Sequence, residues 1–397
     1  MNHKLKFLLL HLLFFLCIKN ICWSQNEPPK IIATGDQSYC PTTQLNIVTS
    51  FDIIDPDDTE IDAFYIQIST GYTFGQDKLI VTGAHPTIVA NWNTSQGKLS
   101  LKGVGGLPMT YTNLIAAVND VVFETTLTTN LGDKLFSFTI GSANYLPSTG
   151  HYYEYVPALG ITWTAAKTAA DARTYFGLQG YLATITSTEE AQLSGEQAAG
   201  AGWIGGSDVQ TEGVWKWVTG PENGTVFWNG GINGSTPNYA NWNFQEPNNA
   251  GDEDYAHVTA PGIGIAGSWN DLSNIGGSSG DYQPKGYIME YGGTLGDPVV
   301  DISASTKINI PSITNSVEPI AICGSGSAIL QANSSVGDVV WFNSATGGTP
   351  IFTGNSYTTP VINSTTNYYA LASVNGCFEG IRTRVTATVN TIPTITS

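Results

Sequence analysis

Residues 241–254 read Asn-Trp-Asn-Phe-Gln-Glu-Pro-Asn-Asn-Ala-Gly-Asp-Glu-Asp, and Trp269-Asn270-Asp271 follows downstream. These segments supply carboxylate and amide oxygens, with no cysteine and no well-placed histidine. Oxygen ligands without nitrogen or sulfur suit Ca²⁺, which takes about six to eight of them. Glu246, Asn248, Glu253, Asn270 and Asp271 offer five side-chain oxygens, and the Asp271 carbonyl is a candidate sixth. About two positions on such an ion then stay open to an outside ligand. Three carboxylates against a divalent cation leave one net negative charge, tolerable beside solvent.

The surrounding block, residues 150–293, begins with two helical stretches. Thr162 is placed to cap a helix from Trp163 to about Phe176, closed by Gly177, and Ser187 with Glu190 three positions on is a capping box opening a second helix to about Ala198. Beyond Gly202 the pattern turns to short strands and long loops, so the block reads as α+β with its helices first. Gly202-Trp203-Ile204-Gly205-Gly206, Trp215-Lys216-Trp217, Glu246-Pro247-Asn248, Trp269-Asn270-Asp271 and Gly286-Tyr287-Ile288-Met289-Glu290 follow in order. This series resembles the C-type lectin domain.

The resemblance implies a calcium site of the mannose type. A sugar with two adjacent equatorial hydroxyls would take the open positions, with Glu246 paired to Asn248 and Glu253 paired to Asn270 as the sugar-binding couples. Glu-Pro-Asn implies mannose, fucose or N-acetylglucosamine-like geometry over galactose, with Pro247 in the cis form, which costs little before proline. The family's two disulfides are missing, because the block has no cysteine. Ala170, Tyr255 and Met289 stand where three of those cysteines would be, so apolar packing must replace the crosslinks. Trp203, Trp215 and Trp217 read as core, Trp242 and Trp269 as braces of the loop, and His257 as structural. Asp252 and Asp254 fit either a second calcium or a solvated acidic loop.

The flanks are different. Residues 26–147 alternate as strands at 63–68, 78–81, 98–101, 120–123 and 134–140, separated by glycine turns. Together with Asp55-Pro56-Asp57-Asp58 at a strand end, this resembles a cadherin-like β-sandwich; the acids suit either calcium or an Asp-rich turn. Residues 310–391 are strands again, with Trp341 18 residues after Cys323. They resemble the Ig-like modules strung in secreted proteins of gliding and polymer-degrading bacteria of the Bacteroidetes type. Ile310-Pro311-Ser312-Ile313-Thr314 returns as Ile392-Pro393-Thr394-Ile395-Thr396, so a further repeat is expected to follow in a longer reading frame.

Length and composition agree with this division. The 397 residues allow two to four domains. Only 12% are charged while 44 are glycine, which excludes coiled coils and charge-rich disordered tails. The formal charge of −17 would repel a nucleic-acid backbone. Residues 150–293 alone hold 15 acids against four bases.

Lys4 and Lys6, the apolar run Phe7 to Leu16, and Cys22 and Ser24 before the cut make residues 1–24 a signal peptide, too short in its apolar part to span a membrane. Three cysteines remain after it, and Cys323 with Cys377 is the expected disulfide, leaving Cys40 as a small buried hydrophobe.

The chain is thus expected to be a mainly β, multidomain exported protein that binds glycans or polysaccharide through Ca²⁺ in adhesion or capture at the cell surface. The alternative is a protein-binding adhesin or scaffold whose calcium only orders the loop. Glu246 and Glu253 could be imagined as the acid pair of a glycoside hydrolase, but calcium ligation would hold both ionised and leave no general acid, so no enzymatic activity is expected.

Overall fold

A computed structural model describes residues 26–127, 131–198, 200–259 and 263–393. The proposed signal peptide and most of the second Ile-Pro-Thr-Ile-Thr segment lie outside them. No helix among the described residues is long and apolar enough to cross a membrane.

The first domain is built on a six-stranded sheet in the order Gln37–Ser38, Ser303–Asn309, Lys134–Thr139, Ala63–Thr70, Lys98–Gly103, Ile88–Asn93. Alternation along these strands sends Phe64, Ile66, Ile68, Leu99, Leu101, Phe136 and Phe138 into one core, each at most 2% exposed. Smaller sheets, Lys30–Thr34 with Ser50–Ile54 and Leu45–Asn46 with Val121–Thr125 and Asp77–Val81, close the sandwich. Strand alternation overlooked a helix here, Tyr111–Asn119. Thr110 caps it by accepting from the Asn113 N–H, and Leu114, Ala117 and Val118 are its buried face. At the acidic strand end, the Asp55 carboxylate accepts from the N–H groups of Asp57 and Asp58, which is the geometry of a turn.

The strand Ser303–Asn309 was not foreseen as part of this domain. It pairs antiparallel with Lys134–Thr139, Phe138 opposite Ala304 and Lys134 opposite Ile308. The middle block is therefore inserted between two strands that are neighbours in the first domain's sheet. Both of its ends leave from the same end of that strand pair, where Thr139 lies opposite Ser303, the arrangement that lets one domain sit inside another.

In the middle domain, the antiparallel pair His151–Pro157 and Gly286–Tyr291 brings its ends together. Trp203–Ser207, Val214–Trp217 and Val226–Asn229 extend that sheet, and Tyr255–Val258 with Trp269–Leu272 branches from Trp203–Ser207. Both N-caps are made: Thr162 Oγ1 accepts from the Ala165 N–H and Ser187 Oγ from the Glu190 N–H. The Glu190 carboxylate, however, accepts from the Thr186 N–H and not from Ser187, so the capping box is only half formed. Both helices are shorter than their spacing predicts. The first ends at Asp171, because Phe176 and Gly177 take positive φ and fold Thr174–Tyr175 back on Leu178 as a hairpin. The second is α only over Thr188–Ala191 and passes into a π-turn, Gln192–Glu196. There the Gln192 amide is drawn onto the first domain, accepting from Gly71 N–H and donating to Tyr72 O.

Ala170 and Met289, both 0% exposed, pack with Trp163, Leu182 and Trp203, and Tyr255 leans on the same cluster. Contacts of apolar side chains thus occupy the places of the missing cysteines.

The third domain stacks Ile313–Val317, Ile329–Ser334 and Ser356–Thr358 on the sheet Phe352–Thr353, Asp338–Phe342, Thr366–Ser373, Thr383–Ala387, with Trp341 at the centre, 0% exposed. The expected Cys323–Cys377 bridge is not formed. Cys377 bonds to Cys40, with Cα atoms 5.8 Å apart, and Cys323 is free and exposed. The cause is local: Asn375 and Gly376 both take positive φ and swing Cys377 out of the strand end towards Cys40 of the first domain. The disulfide joins two domains instead of stapling one, and Cys40 is not a buried hydrophobe.

Candidate functional site

The loop that carries the predicted ligands hangs from an aromatic brace. Trp269 is 0% exposed and its ring lies 5.6 Å from Trp217 and 5.8 Å from Trp242, centroid to centroid. Backbone bonds Trp269 N–H to Asn241 O and Asn243 N–H to Trp269 O tie the start of the loop to the strand Trp269–Leu272. Glu246–Pro247 is cis, as the resemblance implies. Of the six non-glycine residues with positive φ among those described, Gln245, Asn249 and Asp252 are here. Such conformations concentrate at functional loops whose surroundings hold them.

Each predicted residue has a defined place. Asp271, 0% exposed, accepts from the Asn248 N–H at 3.0 Å through Oδ1 and from the Asn249 N–H at 2.8 Å through Oδ2, so it clamps the loop backbone. Glu246 Oε2 is buried with no hydrogen-bond partner. Glu253 accepts from the Ala250 N–H at 3.0 Å, and its own N–H donates to Asn249 Oδ1 at 2.8 Å. Asn248 is exposed beside them. Asn270, 4% exposed, turns its Nδ2 to the Asp271 carbonyl at 2.7 Å, so two of the predicted ligand groups, the Asn270 amide and the Asp271 carbonyl, are paired to each other here.

Charge crowding is the electrostatic mark of the site. Burial first, then the neighbouring Asp271 and Glu253, push the Glu246 carboxyl up to about 8. Burial and Asp271 push Glu253 up to about 7 against the lowering effect of the Ala250 N–H. Carboxyl groups raised in this way favour a proton or a cation. The donor set fits a hard cation: oxygens only, an unpartnered buried carboxylate oxygen, and no nitrogen or sulfur ligand.

A second acidic group was missed by sequence. Asp208, Glu212 and Asp254 hold carboxylate oxygens all within 4.8 Å of one another. Asp208 Oδ1 is buried and unpartnered, and burial followed by Glu212 and Asp254 raises the Asp208 carboxyl to about 7. Glu212 accepts from Asn249 Nδ2 at 2.6 Å, which couples this group to the first loop. Asp254 belongs to it and Asp252 does not. The available signal was an acid pair four residues apart directly after the Trp203–Ser207 strand.

Trp203, Trp215 and Trp217 are core, at most 1% exposed, and His257, at 1%, is kept neutral by burial, its basicity lowered to about 3.

Comparison with known proteins places these features. The family described as Ig-like domain CHU_C associated matches residues 310–391. Halomucin of Haloquadratum walsbyi (strain DSM 16790 / HBSQ001) is 34% identical over 277 residues, covering 66% of this chain and 3% of that protein. CD209 antigen-like protein D of Mus musculus is 38% identical over 92 residues, 22% of this chain and 32% of that one. The chain thus spans no more than about a third of either curated relative. Among solved structures, the mouse scavenger receptor C-type lectin carbohydrate-recognition domain aligns at 22% identity with a TM-score of 0.26, over 37% of this chain and 91% of that one. The protein is therefore a mainly β, multidomain chain with partial similarity to C-type lectins and an Ig-like domain at residues 310–391.

Proposed function

We propose that the middle domain binds saccharides of the mannose type at the loop of Glu246, Asn248, Glu253, Asn270 and Asp271, with Ca²⁺ as cofactor, in an exported, non-enzymatic adhesion or capture protein. The observation that carries this reading is the buried, unpartnered oxygen of Glu246, a carboxyl that Asp271 and Glu253 crowd, next to an exposed Asn248. When bound, Ca²⁺ would offset two of the three negative charges and offer open positions to two sugar hydroxyls. The chain's own residues do the rest. Asp271 fixes the loop backbone, the brace of Trp217, Trp242 and Trp269 keeps it rigid, and the Asn and Glu side chains offer a donor and an acceptor to each hydroxyl. Partial similarity to C-type lectins supports the reading.

One observation favours a second reading. Phe244, 79% exposed on the same loop, is an apolar group suited to a protein partner, with the cation ordering the loop. A glycan array separates the two. Binding that disappears with EDTA and with Asn248→Asp supports the lectin reading, and an array blank in calcium beside retained binding to a surface protein overturns it.

A further inference from the structure

The first domain turns the polar face of its sheet towards the middle domain. Along Lys98–Gly103 the residues alternate: Leu99 and Leu101 enter the core while Lys98, Ser100 and Lys102 stand on the other face. Asn93 pairs with Lys98 and Asn91 with Ser100 on one side, and Tyr65 pairs with Ser100 on the other. The middle domain covers this face only in part, and a cavity of about 300 Å³ remains between the two. That is the lower end of the range for small-molecule sites.

Lys98 on its wall is buried, at 9% exposure, and all its partners are neutral. Nζ donates to Ser142 O at 2.6 Å and to Asn144 Oδ1 at 2.7 Å, and lies 4.7 Å from the centre of the Tyr65 ring. No carboxylate pairs with it among the described residues. The acid lining the same cavity, Glu154, is engaged elsewhere, accepting from Tyr291 Oη at 2.9 Å with Arg173 at 3.7 Å. Burial, partly offset by the charge of Glu154, lowers the Lys98 ammonium to about 8, so it is still mostly charged at neutral pH. As a mere link between domains, an amide would make the same two hydrogen bonds with no charge to desolvate. What the charge adds is attraction for an anion. Lys102 lines the same cavity from an exposed position, in a protein whose net charge is −17.

We propose that this inter-domain cavity is a second binding site, for an acidic sugar of the hexuronate class. Its carboxylate is held by Lys98 and Lys102, its hydroxyls by Asn91 and Ser100, and its ring lies against Tyr155. This site works without calcium, so it is independent of the lectin reading.

Titration calorimetry of the full chain with D-glucuronate tests it. Saturable binding is expected, equal in calcium and in EDTA, with D-glucose about tenfold weaker or more, because it lacks the charged acceptor. Lys98→Gln should weaken glucuronate by about tenfold or more. Lys102→Gln, at the exposed mouth, should weaken it by roughly threefold with an unchanged melting temperature, which guards against a folding artefact of the first variant. Absence of binding, equal affinity for glucose, loss of binding with EDTA, or full binding by both variants would each overturn the assignment.

Discussion

Replacing Asp271 by alanine separates the two jobs that the loop assigns to this residue. Its carboxylate accepts from two backbone N–H groups, those of Asn248 and Asn249. Hydrogen bonds to a charged group contribute about 1.5–3 kcal/mol each, but Asn248 and Asn249 are exposed and water can take over their freed N–H groups. Asp271→Ala should therefore cost about 2–4 kcal/mol in EDTA. Calcium at about a hundredfold above its dissociation constant would add ~2.7 kcal/mol to the wild type and nothing to the variant. The gap should widen to about 5–7 kcal/mol. Asp271→Asn keeps one acceptor oxygen, so it should lose about half as much in EDTA and still gain little from calcium. Urea unfolding followed by tryptophan fluorescence is the assay, since seven of the ten tryptophans are in the middle domain. The reasoning fails if calcium stabilises the alanine variant as much as the wild type.

Three further outcomes follow from other parts of the fold. His257 has its basicity lowered by burial to about 3, below its ordinary 6.5. The unfolded chain then binds more protons, and the stability His257 contributes is present above about pH 6.5 and lost as pH falls. Between pH 7 and 5 this amounts to about 2 kcal/mol, which His257→Phe should remove from the difference between the two unfolding curves; parallel curves would count against it. Gln197, 1% exposed, donates to Ile68 O at 3.0 Å and Gln96 O at 2.7 Å across the domain boundary. Gln197→Ala should cost roughly 1–3 kcal/mol and speed amide exchange along Ala63–Thr70, whereas unchanged exchange would show that this contact does not hold the domains. Cys40→Ser should let the third domain swing away from the first, giving a larger radius of gyration with its own melting temperature unchanged; an unaltered radius would mean that the disulfide merely decorates an interface already closed.

The sequence was most legible where local chemistry and placement coincide. Thr162 and Ser187 cap helices because a short hydroxyl before an amphipathic run has few other uses. Trp215 and Trp217 are core because strand alternation faces them inward, and Trp203 because its whole strand is buried. The ligand loop was readable because its acids and amides are close in the chain. Features that depend on distant segments were not readable. Ser303–Asn309 finds its partner across an inserted domain, and nothing within those seven residues indicates which sheet they will join. Cys377 chose Cys40 over Cys323 because a turn with two positive-φ residues redirected it, whereas sequence proximity favoured the nearer thiol. The π-turn after Ala191 likewise reflects a tertiary demand, the docking of the Gln192 amide on Gly71 and Tyr72, that overrides local helix propensity. Asp208 and Glu212 were overlooked since their partner Asp254 is brought to them by the fold.

The central claim is that the loop from Glu246 to Asp271 holds a sugar through a cation. Titration of the full chain with methyl α-mannoside, in calcium and again after EDTA, tests it most directly when the Asn248→Asp variant is run alongside. The account predicts saturable binding by the wild type in calcium only, with the variant losing mannoside. Binding of equal strength in EDTA, or an Asn248→Asp variant that binds mannoside as well as the wild type, would contradict it.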